Sequence, residues 1–160
     1  MITKFANVPP SNLLSGNAFS AARTWLNRAK ITSGKGPTGW PHIKGLSEKP
    51  GEWGTIDGIV GLLACGAAIN DTRIDDAAQF LIGRQRDDGS WNSNGIAYSC
   101  AEVTAWVVIV LRQVLLGAER SASVNAAAIF LEGCISEQGG VRTSPKDGKD
   151  PIQASSQETH

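Results

Sequence analysis

The stretch that decides the fold is Phe80-Leu81-Ile82-Gly83-Arg84-Gln85-Arg86-Asp87-Asp88-Gly89-Ser90-Trp91, because the chain repeats it once, starting at residue 130 instead of residue 80. The second copy ends on Val141 and keeps the same residue at four places, namely Phe130, Leu131, Gly133 and Gly139. A period of this size, 50 residues from 80 to 130, is typical of stacked units that bury their apolar faces against one another. We therefore expect an array of repeated units.

An amphipathic helix is predicted before each copy, and we name these two helices outer helices. One face of the first helix follows the i, i+4, i+7, i+11 spacing, and the same face returns 50 residues later: Ile74, Ala78, Leu81 and Gln85, then Val124, Ala128, Leu131 and Ile135. Residues that can cap a helix precede both, namely Asn70, Asp71 and Thr72 for the first, and Ser121 or Ser123 for the second.

A second kind of helix, which we name the inner helix, is predicted after each turn. Two segments are nearly free of charge, from about residue 54 to 69 and from 98 to 116, and Gly117 ends the latter. No strand is needed to account for the chain. A degenerate earlier unit is visible in Ala21–Arg28 and in the pair Gly39-Trp40. After Val141, a polar linker and the segment 152–160 stand where a third inner helix would begin.

These boundaries predict an N-terminal extension over residues 1–16, a helical repeat domain over 17–141 and a polar, flexible tail over 142–160. The 160 residues carry fifteen basic and fifteen acidic side chains, which gives no electrostatic footprint for nucleic acid or an anionic membrane. The most apolar stretch, 103–116, is too short to span a bilayer and contains Arg112. We expect a cytoplasmic chain without a nucleic-acid partner or a membrane span.

The three cysteines support the same compartment. Cys65, Cys100 and Cys134 lie in apolar helical segments and lack the close paired spacing of a zinc or redox site. We interpret them as buried free thiols, which favours a reducing environment.

The spacing of Phe, Leu, Gln, Gly and Trp over residues 80–91 resembles the QW repeat of squalene-hopene cyclases, oxidosqualene cyclases and protein prenyltransferase β subunits. The likeness continues into residues 98–106 and covers about residues 17 to 141. It implies an all-α fold of helical hairpin repeats forming a partial α/α toroid, with outer helices around inner ones. It also implies that Gln85 and Trp91 fasten the end of an outer helix to the start of an inner helix. The residues of this structural motif are Phe80, Leu81, Gln85, Gly89, Trp91, Phe130, Leu131 and Gly139.

The other units depart from the QW pattern. Ile135 replaces the Gln and Val141 the Trp in the last unit, and Lys30 stands at the Gln position in the first. A residue type that recurs once per unit serves the unit rather than one reaction centre. The repeat therefore predicts a scaffold and does not itself predict catalysis.

The catalytic motifs of the resembled enzymes are missing. The cyclases use an Asp-x-Asp-Asp acid motif, whereas Arg73 stands at its first position here, before Ile74-Asp75-Asp76. Asp75 and Asp76 fall in the first turn of a predicted helix, where its dipole favours carboxylates. The prenyltransferases use zinc, yet His42 and His160 have no cysteine at ligand spacing. We predict no catalytic residue, no metal and no cofactor.

If the toroid encloses a cavity, residues near the starts of the inner helices face it. The polar candidates are Asp57, Tyr98, Cys100 and Glu102, and the apolar walls are Trp53 and Trp106. A carboxylate at such a mouth acts as an acid with a raised pKa, or it caps its helix; both readings stay open. An aromatic content of 6% disfavours a closed cyclase pocket, which needs many aromatic faces for carbocations.

The sequence supplies two complete inner helices and the start of a third unit, and such an open arc leaves apolar flanks uncovered. We predict a noncatalytic terpene-cyclase-like partial toroid that acts as a protein-binding or regulatory module and is completed by a protein partner or by self-association. One alternative is part of a terpene cyclase or prenyltransferase active site that another segment or chain completes. Another is an isoprenoid-binding module.

Overall fold

The chain is mostly helical, which confirms the all-α prediction at that level. The computed structural model describes residues 16–32, 38–42, 49–92, 99–114 and 117–145. Its elements in order are α1 (Gly16–Ala29), β1 (Ile31–Thr32), β2 (Thr38–Gly39), α2 (Glu52–Ala64), α3 (Thr72–Gly83), α4 (Ala101–Gln113) and α5 (Ala118–Gly133). The predicted outer helices correspond to α1, α3 and α5, and the predicted inner helices to α2 and α4. Nearly all of the predicted extension and most of the tail lie outside the described residues.

The two strands correct the prediction that the chain needs none. β1 and β2 pair antiparallel, with Ile31 opposite Gly39 and Thr32 opposite Thr38. β2 is buried beside α3, and a Cβ at Gly39 would lie 2.5 Å from Oγ1 of Thr55 and 2.8 Å from Cβ of Pro50. Two short paired strands thus belong to the longer connection of the first unit, and Gly39 permits the close approach of β2 to α2.

The start of α3 matches its prediction, and the start of α5 does not. Asp71 caps α3, since its carboxylate accepts a hydrogen bond from the backbone N–H of Arg73 at 3.0 Å. α5 begins earlier than predicted, at Ala118 after Gly117, so neither predicted serine is its N-cap. Ser121 instead donates to the carbonyl of Gly117, and Ser123 is buried inside the helix.

The core lies between the two inner helices and α3. Fully buried aliphatic side chains from all three helices meet there: Ile59, Leu62, Ile74, Leu81, Val107, Val110 and Leu111. The predicted buried face of α3 is therefore confirmed. Cys100 and Cys134 are buried as predicted, Cys65 is only half-buried, and none of the three forms a disulfide bond.

The prediction of the buried face of α5 is wrong, because the buried residues lie one position before the predicted ones. Ala127, Phe130 and Cys134 are buried, whereas Ala128 and Ile135 are exposed. α5 packs against α4 and, over a smaller contact, α3. The face of a helix that is buried is the one that other helices contact. Within the described part of the chain, no helix lies on the far side of α5.

None of the described helices is both long enough and apolar enough to cross a membrane.

Candidate functional site

Trp91 joins the end of α3 to the start of α4. Its indole is fully buried, and Nε1 donates to the carbonyl of Leu81 at 2.6 Å. Its backbone N–H donates to Oγ1 of Thr104 at 2.9 Å. Thr104 is the fourth residue of α4, so one side chain and one backbone group of Trp91 link the two helices.

Trp40 makes the same two bonds in the first unit. Its Nε1 donates to the carbonyl of Leu26 at 2.8 Å, and its backbone N–H donates to Oγ1 of Thr55 at 3.2 Å. Thr55 is the fourth residue of α2. We name this arrangement of indole, outer-helix carbonyl and inner-helix threonine the Trp–Thr clamp. Sequence reasoning missed both threonines, although each stands at the same position of its inner helix.

Gln85 fastens α3 to a different helix from the expected one. Its Nε2 donates to the carbonyls of Gly89 and Ser123, both at 2.9 Å, and its Oε1 accepts from Oγ of Ser123 at 2.6 Å. Ser123 belongs to α5, so the amide connects the turn to the next outer helix. The resemblance implied a link to the inner helix, and here Trp91 alone supplies that link.

Asp88 orders the same turn. Its carboxylate accepts from the N–H and hydroxyl of Ser90 and from the hydroxyl of Ser99, which lies just before α4. Burial raises the pKa of Asp88, but these hydrogen bonds outweigh that effect and leave the pKa below its usual value. The turn is thus stabilised from both of its ends.

The turn after α5 has the same backbone as the turn after α3. Gly89 has a φ of 84° and Gly139 a φ of 82°, conformations that favour glycine. Gly89 donates to the carbonyl of Arg86 at 2.9 Å, and Gly139 donates to that of Ser136 at 2.9 Å. The side chains differ, because Ile135 and Val141 replace the Gln and the Trp.

Those replacements leave an apolar surface on the last described unit. Val141 is 48% exposed where Trp91 is fully buried, and Ile135 is 57% exposed. Along the same side of α5, Ala128 is exposed, while Val124 and Leu131 are half-buried and pack in part against the core. Their counterparts 50 residues earlier are Ile74, Ala78 and Leu81, all fully buried. We name Val124, Ala128, Leu131, Ile135 and Val141 the α5 flank.

The backbone N–H of Val141 also lies at the flank. Ile135 and Val141 form an isolated antiparallel bridge. The bonds beside it run from N–H of Arg142 to the carbonyl of Cys134 and from N–H of Ser136 to that of Gly140, both at 2.8 Å. In such a pair the N–H of Val141 points away from Ile135. It has no hydrogen-bond partner among the described residues.

The predicted cavity residues that the structure describes lie at the N-cap or within the first six residues of the inner helices. On α2, Trp53 is half-buried against the core and Asp57 is exposed; on α4, Glu102 is exposed and Trp106 is 41% exposed. Cys100 is buried as the N-cap of α4, and Tyr98 lies outside the described residues. Desolvation raises the pKa of Asp57, and the charge of His42 acts in the opposite direction.

Glu52 is a buried carboxylate that sequence reasoning missed. It is the first residue of α2 and is fully buried, and its Oε1 accepts from Nε of the half-exposed Arg84 at 3.0 Å. Its Oε2 has no partner among the described residues. At the next junction the corresponding first residue of α4 is Ala101, which shares an apolar cluster with Cys134. A buried carboxylate paired with a half-exposed arginine thus stands where the following junction has an apolar contact.

A cleft of about 570 Å³ lies between the starts of α3 and α5. The buried guanidinium of Arg120 pairs there with the carboxylate of Asp75. Asp75 was predicted to serve the dipole of α3, and it also connects α3 to α5. Within the described part of the chain, no group of His, Cys, Asp and Glu is arranged to hold a metal ion.

Comparison of the chain with protein-family models, with curated proteins and with solved structures finds no match.

Proposed function

We propose that this chain is a noncatalytic partial α/α toroid of the QW-repeat kind that works as a protein-binding module. Its binding surface is the α5 flank. The chain provides a rigid array in which the Trp–Thr clamps fix each hairpin, and the flank is the place where a further helical unit docks.

The observation that carries this proposal is the difference between equivalent positions on α3 and α5. Ile74, Ala78 and Leu81 are fully buried on α3, while their counterparts on α5 are half-buried or exposed. A solenoid-like array exposes such a face only at an end that is capped or bound by something else. The flank has no charged side chain, so the complementary surface is apolar.

A chain extended by one unit tests the proposal. A copy of residues 99–133 is joined after residue 148, so that the copied Ser99 follows Val141 by eight residues, as Ser99 itself follows Trp91 (99 minus 91). Ala128→Cys in a Cys65→Ser background then reports on the flank through its rate of reaction with a thiol reagent. We expect the extension to slow that reaction about tenfold or more, since a covered thiol reacts only through opening of the interface.

Ile129→Cys is the matched control. Ile129 is 72% exposed and lies five positions after Val124, about 140° around the helix, so its thiol stays reactive in the extended chain. Equal reactivity of the Ala128 thiol with and without the added unit would contradict the proposal.

A further inference from the structure

Both complete units satisfy the same backbone donor in the same way. The N–H of Trp40 and the N–H of Trp91 each donate to the hydroxyl of a threonine, Thr55 or Thr104, and both hydroxyl residues are fully buried. Each threonine is the fourth residue of the inner helix that follows. The Trp–Thr clamp therefore requires a hydroxyl at the fourth residue of each inner helix.

A threonine suits this position because its hydroxyl can accept one bond while donating another. Oγ1 of Thr104 accepts from Trp91 and donates to the carbonyl of Cys100 at 2.7 Å, one helical turn earlier. Both partners of the hydroxyl are buried and satisfied at once. A side chain without a hydroxyl would leave the Trp91 N–H buried without an acceptor.

The last described unit presents the same donor without its acceptor. Val141 follows Gly139 by two residues, as Trp91 follows Gly89, and its N–H has no partner among the described residues. Water can satisfy this N–H while the flank is open. A helix that covers the flank excludes that water, so it must bring an acceptor of its own.

The segments that could provide such a helix can be compared one by one. Among the described residues, a second copy of this chain has no unused inner helix, since Thr55 and Thr104 are already buried in their own clamps. Residues 146–160 are mostly polar, with Ile152 and Ala154 as their aliphatic side chains. In residues 1–15, Pro9 and Pro10 interrupt the sequence. None of these sources has an uninterrupted apolar stretch as long as α4 with an unused threonine at its fourth position.

We propose that the α5 flank binds an apolar helix from a partner polypeptide whose fourth residue is threonine, and that this hydroxyl accepts the N–H of Val141. The inference rests on the proposed function and adds the identity of the docking element. The partner helix resembles α2 and α4: one face is aliphatic and fills the space beside Val124 and Leu131, and its first turn meets the turn after α5.

A pair of peptides tests this in trans against the full-length chain. The first has the sequence of residues 99–114 followed by four lysines for solubility, and the second differs only by Val at the position of Thr104. The chain is labelled with ¹⁵N, and each peptide is titrated while the amide signal of Val141 and its hydrogen-exchange rate are followed. We expect the threonine peptide to bind about tenfold more tightly, as one buried hydrogen bond requires, and to protect that amide.

The outcomes separate this inference from the function on which it rests. Equal affinity of the two peptides without protection of Val141 would overturn the role of the hydroxyl, while the thiol experiment above could still support a docking flank. If neither peptide binds, the inference is wrong. Protection of Val141 in the chain alone, rising with its concentration, would identify a second copy as the occupant and overturn the partner helix.

Discussion

Replacing Thr104 by Val tests whether the Trp–Thr clamp stabilises the fold. The substitution keeps the shape of a fully buried side chain and removes its hydroxyl. The carbonyl of Cys100 remains satisfied, because the backbone N–H of Thr104 already donates to it at 3.0 Å. The N–H of Trp91 loses the acceptor at 2.9 Å and stays buried. The cost is therefore that of one unsatisfied buried donor, about 2 kcal/mol.

Urea unfolding followed by tryptophan fluorescence measures this cost. With a slope of about 2 kcal/mol per molar urea, we expect the midpoint of unfolding to fall by about 1 M with an unchanged slope. Thr55→Val is the second instance, acting on the longer bond of 3.2 Å to Trp40.

Thr24→Val is the matched control. Thr24 is exposed, and its hydroxyl donates to the carbonyl of Ser20 within its own helix, so its effect is within about 0.5 kcal/mol. If Thr104→Val is as mild as Thr24→Val, the clamp contributes nothing measurable, and the argument for the Val141 acceptor loses its energetic basis.

Three further substitutions address charged side chains. Arg84→Ala leaves the buried Glu52 carboxylate without its donor, so we expect the free energy of unfolding, measured in urea, to fall by about 3 kcal/mol. Glu52→Ala places an alanine where α4 has Ala101 and is expected to cost less than half as much. Equal costs of the two variants would contradict the argument that an unpaired buried charge causes the loss. Asp71→Asn keeps the N-cap but removes the ion pair with Arg73. The hydrogen bond from the Arg73 side chain is the main reason that the pKa of Asp71 is lowered from 3.8 to about 2. The ion pair therefore stabilises the folded chain by about 1 kcal/mol or less above pH 4. The difference in stability between the chain and the variant disappears as the pH falls towards 2. A difference in melting temperature that does not change with pH would contradict this account.

The repeat and the apolar spacing predicted correctly those features that depend on local sequence. The repeat placed the turns at Gly89 and Gly139, the apolar spacing gave the buried face of α3, and Asp71 was a cap that its neighbours alone define. These features follow from residues within one helix or one turn. Sequence is sufficient for them because no distant partner decides the outcome.

The remaining features depend on partners far along the chain. The face buried on α5 is set by which helices surround it, so copying the pattern of α3 failed at Ala128 and Ile135. Thr104 acts on a residue 13 positions away, and Glu52 on one 32 positions away. A threonine or a glutamate in a helix gives no local sign of such a role. The signal that could have found the threonines is their shared place in α2 and α4.

Two kinds of contact join the described helices, and only one of them differs between the two junctions. The Trp–Thr clamp is the same in both complete units. The contacts between outer helices change at each junction: between α1 and α3, Arg73 donates to the side chain of Asn27 at 2.7 Å, whereas between α3 and α5 the amide of Gln85 meets Ser123.

For the proposed partner of the α5 flank, this difference distinguishes the contact that the partner has to keep from the contact that can change. The clamp is constant because it satisfies a backbone donor, which every unit has whatever its side chains. The contacts between outer helices vary because each depends on a particular side chain, Arg73 at one junction and Gln85 at the next, and at the flank the apolar Ile135 stands in the place of Gln85. A partner is therefore expected to keep the hydroxyl that meets Val141 and to be selected by the aliphatic shape that meets Ile135.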